Sequence, residues 1–142
     1  MAGIVVGVDG SHDAHRALEW AVKEAAAHHV PLTVLAIHEV AASAWTGNPI
    51  TYGEDESLVE KARAGAEDAV AKAAAGLTDR PAITVQAASG VPAQALVDAS
   101  RNADLVVVGS HGTGGFRAVL GSVSNKVVHH AHCPVVVVPA QS

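Results

Sequence analysis

Apolar residues fall along the chain in short unbroken runs, separated by longer stretches where they recur every three or four positions. Ile4-Val5-Val6-Gly7-Val8-Asp9 is the first run, β-branched and without alternation, the pattern of a parallel strand buried on both faces. Gly10-Ser11 follows, with Ser11 placed to cap a helix. From His12 to His29, Leu18, Ala21, Val22 and Ala25 keep helical spacing. Pro31 ends that helix and introduces a second strand, Leu32 to Ile37. Ser57 to Leu77 predicts an Ala-rich helix with a solvated side of Glu60, Lys61, Arg63, Glu67, Asp68 and Lys72. Pro81 precedes a third strand, Ala82 to Ala88, and Gly90 and Pro92 open a helix over Ala93 to Ser100. Asp104 to Gly109 is the clearest buried strand. A helix begins near Gly121-Ser122, and Pro134 to Pro139 encloses a last strand between two prolines.

Strands alternating with helices in the order βαβαβαβαβ predict an α/β fold, a doubly wound parallel sheet with right-handed crossovers and helices on both faces. A length of 142 residues with no internal repeat suits a single domain over 1–142. Ala41 to Glu56, which holds Trp45, Gly47, Asn48, Pro49 and Gly53, is the longest irregular stretch, either a binding loop or a plain surface excursion.

Composition narrows the classes. With 49% hydrophobic and 16% charged residues the chain can bury a core, which excludes disorder. Trp20, Trp45, Tyr52 and Phe116 are its aromatics, so Val, Ala, Leu and Ile must build that core. A net charge of −5 and so few aromatics argue against a general nucleic-acid binder. No apolar stretch approaches a membrane span, and Met1-Ala2-Gly3 leads into the first strand without a basic n-region. A soluble, cytoplasmic setting is expected. The single cysteine, Cys133, has no internal partner and reads as an inert core thiol. Nine histidines include His28-His29 and the group His129, His130 and His132 at helix ends, but no matching Cys or carboxylate set accompanies them. They read as helix terminators and surface polarity, not as a dedicated metal site.

Ligands of such sheets bind outside the carboxyl ends of the strands, where the strand order reverses. Two strand ends stand out: Val8-Asp9-Gly10-Ser11, and Gly109-Ser110-His111-Gly112-Thr113-Gly114-Gly115. Glycines there let the backbone turn tightly and present N–H groups to an anion. Gly121-Ser122-Val123-Ser124 then starts a helix whose amides and dipole suit a phosphate, with Ser122 and Ser124 as hydroxyl donors. Each piece has a plainer reading: a tight connection for the glycines, an N-cap for Ser122, a structural cap for Asp9. Their joint placement is what favours a ligand. The loop is neither a Walker A sequence nor the dinucleotide fingerprint. It holds no Lys, so charge neutralisation would fall to N–H groups, Arg117 and a metal ion; His111 sits within reach of a phosphate but has no identifiable catalytic partner.

Gly109-Ser110-His111-Gly112, Gly121-Ser122-Val123-Ser124, the opening Ile4-to-Ser11 segment and the closing His132-Cys133-Pro134-Val135-Val136-Val137-Val138 resemble the universal stress protein family over essentially the whole chain. The resemblance implies a Rossmann-like five-stranded sheet in the order 3-2-1-4-5, and an ATP-binding subgroup marked by Gly-x2-Gly-x9-Gly-Ser/Thr. Here eight residues, not nine, separate Gly112 from Gly121. By position in the family pattern, Val8 and Asp9 would face the adenosine. Glu39 would stand where an apolar residue commonly meets adenine. Val108, Gly109, Ser110 and Gly112 would line the ribose and phosphates, with Gly121, Ser122, Val123 and Ser124 completing the phosphate site. ATP, with Mg²⁺, is the implied ligand.

The last strand would lie at a sheet edge, where Val135 to Val138 exposes backbone unless something covers it. Pairing with the same strand of a second copy satisfies two-fold symmetry, and the resemblance implies that homodimer. Three functions compete: a dimeric ATP-binding stress or signalling module, a nucleotide-free interaction module of the same fold, and a slow ATPase or phosphotransfer enzyme. For the last, Asp9 is a possible metal-side acid, but no base is evident.

Overall fold

The structure, a computed structural model, describes residues 3–9, 12–39, 53–110 and 121–139. Within them lie β1 (Ile4–Val8), α1 (His12–His28), β2 (Leu32–Glu39), α2 (Gly53–Ala74), β3 (Ile83–Gly90), α3 (Pro92–Ser100), β4 (Leu105–Gly109), α4 (Ser122–His130) and β5 (Val135–Val138). The strands form one parallel sheet in the order β3-β2-β1-β4-β5, as expected. The predicted cap Ser11 and residues 41–52 of the predicted loop lie outside the described residues.

The unbroken β-branched runs are explained by two cores. Ile4 and Val6 of β1 and Val107 of β4 pack with Ala17, Leu18 and Val22 of α1 and Ala66 and Ala69 of α2. Val5 of β1 and Val106 and Val108 of β4 turn the other way, onto Leu96 and Val97 of α3 and Val127 of α4. Successive side chains of a strand point to opposite faces, so a strand covered on both sides needs apolar residues throughout. β3, at the edge, alternates instead: Ile83, Val85 and Ala87 are half-buried while Thr84, Gln86 and Ala88 are exposed. β5 forms the opposite edge, with Val135, Val136 and Val137 half-buried and Val138 buried. No described helix is long and apolar enough to cross a membrane.

Element limits shift where pairing overrides local signals. β2 runs on to Glu39 and β3 to Gly90 because the two pair along their whole length, from Leu32 opposite Ile83 to Glu39 opposite Gly90. α2 begins at Gly53 rather than Ser57.

Close approach fixes two glycines. A Cβ on Gly7 would lie 2.9 Å from Leu96 Cδ1, so its absence lets α3 seat on β1. A Cβ on Gly109 would lie 2.8 Å from both the carbonyl carbon and the carbonyl oxygen of Asp13, so α1 and β4 meet backbone to backbone.

His29 ends α1. Its φ of 56° is left-handed, a conformation most L-residues avoid. Two bonds complete the Schellman pattern: the Val30 amide donates to the Ala25 carbonyl at 3.1 Å, and the His29 amide to that of Ala26 at 3.4 Å. Replacing His29 by Gly removes the Cβ penalty, and its long, exposed contact with Asp79 contributes little. His29→Gly should therefore raise stability by about 0.5–1 kcal/mol, read as a higher melting temperature. An unchanged or lower one contradicts this account of the helix end.

Cys133 differs from its expected place in a core. It is half-buried on the connection before β5, at the margin of the α3–α4 side. Partial burial pushes the thiol pKa up; a backbone hydrogen bond with Val106 offsets part of that, and the Asp104 carboxylate adds to the rise. The nucleophile is the thiolate, so at pH 8 Cys133 should react with iodoacetamide several-fold more slowly than a cysteine in an unstructured peptide. An equal or faster rate would show that the thiol is not held protonated.

Candidate functional site

β1 lies between β2 and β4, so the chain leaves the sheet centre in one direction after β1 and in the other after β4. At the carboxyl ends of these strands opens a cavity of about 680 Å³, at the place where such sheets hold ligands. Val8, the half-buried last residue of β1, and exposed Asp9 after it line one side. Glu39, exposed at the end of β2, Val108, buried in β4, and Gly109 at its end line it as well. Gly121, exposed Ser122, half-buried Val123 and buried Ser124 bring in the amino end of α4. Of the other predicted residues, Ser110 is buried beside the cavity, and Gly112 lies outside the described residues, as do His111 and Arg117.

α4 enters the site with Gly121 as its N-cap in extended backbone, φ −63° and ψ 162°. The first helical bond runs from the Asn125 amide to the Gly121 carbonyl at 2.9 Å. By helix geometry the amides of Ser122, Val123 and Ser124 precede any intrahelical acceptor. Those amides and the dipole behind them form the electropositive end of the cavity.

The hydroxyl of Ser124 does not add to them as expected. It donates to the Gly109 carbonyl and ties α4 to the end of β4. Ser110 is likewise occupied: its hydroxyl donates to Asp13 Oδ2 at 3.2 Å, and its carbonyl accepts from the Gly121 amide at 2.8 Å. Of the predicted hydroxyl donors in the α4 segment, Ser122 is the exposed one.

Several lining residues were not singled out from sequence. Lys61 of α2 reaches the cavity wall, as do His15 of α1, His38 of β2 and Asp68 of α2. Leu35, Ile37 and Leu96 give it apolar surface. Lys61 read as one charge on a solvated helix side, which is true of its exposure; only the packing of α2 over the strand ends brings it to the cavity. Among the described residues no group of three or more His, Cys, Asp or Glu side chains is placed to hold a metal ion.

The cavity at this topological switch point thus combines a helix amino end, side chains of both charges and apolar surface. Known proteins give that geometry a family. The model of the Universal stress protein family matches residues 2–139. A universal stress protein of Mycolicibacterium smegmatis is 37% identical over 139 residues, covering 96% of this chain and 47% of that protein. The chain thus spans about half the length of the curated relatives it matches. A universal stress protein solved in complex with cAMP aligns with a TM-score of 0.69 at 28% identity, over 96% of this chain and 95% of that one. The universal stress protein of Archaeoglobus fulgidus in complex with dAMP aligns with a TM-score of 0.65 at 26% identity, over 96% of both chains. Sequence and architecture agree along nearly the full length, and the chain belongs to the universal stress protein family.

Proposed function

We propose that the protein binds an adenine nucleotide, ATP with Mg²⁺, in the carboxyl-end cavity, and that the nucleotide acts as ligand or regulator of a cytoplasmic stress-response or signalling module. The observation that carries this reading is that the α4 amino end and the Val8–Asp9 strand end open onto one cavity. The amides of Ser122, Val123 and Ser124 would receive phosphate oxygens, because they lack intrahelical acceptors and carry the positive end of the dipole. Asp9 would accept from the ribose hydroxyls, and Val8, Ile37 and Val108 would border the base and sugar with apolar surface. At the base end, Glu39 is suited to the exocyclic amine, since a carboxylate only accepts. Gly109 stands in the cavity wall at the strand end, and Gly112, by the family pattern, would line the phosphates. Family members in complex with cAMP and dAMP support the adenine part of the reading.

Mg²⁺ fits as a companion of the triphosphate rather than as a metal held by the protein, given the described side chains. Bound there, it would neutralise phosphate charge beside Asp9. A homodimer through Val135–Val138 accompanies the proposal, supported by the half-buried valines at that sheet edge.

A nucleotide-free interaction module is the second reading. It is favoured by the Ser124 hydroxyl being engaged with Gly109 and by the carboxylate of Glu39 in the cavity wall, which respectively remove a donor and add negative charge.

Mass spectrometry of the denatured, purified protein and calorimetric titration with Mg-ATP separate the two. Binding is expected in the wild type, with at least about a tenfold loss in Gly121→Val, where a branched side chain enters the space a phosphate needs. Absence of both heat and a melting shift at millimolar ATP contradicts the proposal. Unchanged affinity in Gly121→Val places the phosphates elsewhere.

A further inference from the structure

α1 carries three acidic residues with different fates. Glu19 is exposed and Glu24 half-buried, while Asp13, in the first turn, is only 4% exposed. Asp13 does not line the cavity, so it has no direct part in holding a ligand there. Its carboxylate instead receives the Ser110 hydroxyl at 3.2 Å, and its backbone packs against Gly109.

Ser110 is a junction. Its amide donates to the Val138 carbonyl at 3.0 Å, and its carbonyl accepts the Gly121 amide at 2.8 Å. The residue immediately before the glycine loop is thereby fastened to α1 by its side chain, to β5 by its N–H and to the N-cap of α4 by its C=O. A hydrogen bond to an ionised acceptor is stronger and more directional than one to a neutral acceptor. The amino end of α1 also tolerates a buried negative charge, through its dipole.

We propose that Asp13 is a positioning residue for the phosphate end of the nucleotide cavity. It fixes Ser110, and Ser110 fixes the peptide from which α4 and its first-turn amides start. The proposal rests on the nucleotide reading above and extends it to a residue outside the cavity. A residue serving only the fold would weaken every ligand alike or none. Asp13 acting through Ser110 weakens the part of the ligand that meets the α4 amides.

Competition against a fluorescent ATP analogue, with ATP and adenosine as competitors, reads that difference. In Ser110→Ala, which deletes only the hydroxyl, and in Asp13→Ala, ATP affinity should fall about tenfold while adenosine affinity changes by less than about twofold. Asp13→Asn, which keeps an acceptor oxygen, should recover part of the loss. If Asp13→Ala does not fold, Ser110→Ala and Asp13→Asn carry the same comparison. Unchanged ATP affinity in the variants, or equal losses for ATP and adenosine, overturns the positioning role while leaving the nucleotide reading intact. A wild type that binds neither competitor overturns both.

Discussion

The carboxyl end of β4 has to serve three neighbours at one point, and the absence of a side chain on Gly109 makes that possible. α1 approaches so closely that a Cβ there would collide with the Asp13 backbone. On the other side, the Gly109 carbonyl receives the Ser124 hydroxyl and holds α4. One residue further, Ser110 bonds to β5, α4 and α1. The helix whose amino end faces the cavity is thus registered against the central strands by a few short polar contacts in a buried setting. Such contacts are costly to break because each leaves a desolvated partner behind.

This seam fits the rest of the sheet. β1 and β4 are neighbours, with Val6 opposite Val107, and both are covered on two faces. Interiors are packed tightly enough that such central strands have little freedom to shift. Asp9 and Gly109 therefore leave the sheet at defined positions, and the cavity between them is a consequence of strand order. The amino end of α4 then supplies positive potential to a protein whose net charge is −5. Bulk charge and site charge are separate quantities, and the local arrangement of amides governs the site.

The alternation of strands and helices, and the two strand ends that open onto the cavity, were legible in the sequence for a physical reason, whereas the strand order came from the family resemblance. β1, β4 and β5 are runs rich in β-branched residues without alternation, and glycine and serine segments follow β1 and β4. Limits set by partners were less legible: β2 and β3 extend to Glu39 and Gly90 because each continues the other's ladder, which neither segment encodes alone. Side-chain direction was not legible either. Ser124 and Ser110 look like ligand donors in a string of glycines and serines, yet both hydroxyls are turned to protein acceptors. Asp13 resembles any acidic residue in a first turn, and Lys61 any charge on a polar helix face. Their roles exist only once α1 and α2 are laid over the strand ends.

The central claim is that a phosphate is held where the start of α4 faces the ends of β1 and β4. Amide chemical shifts of ¹⁵N-labelled protein during titration with Mg-ATP test it most directly. The account predicts that the largest changes cluster at Ser122, Val123 and Ser124, with Val8, Asp9 and Gly109 following and the amino ends of the strands near His29 and Pro31 unmoved. Saturable changes confined to that opposite end, with the α4 amides unaffected, would contradict it.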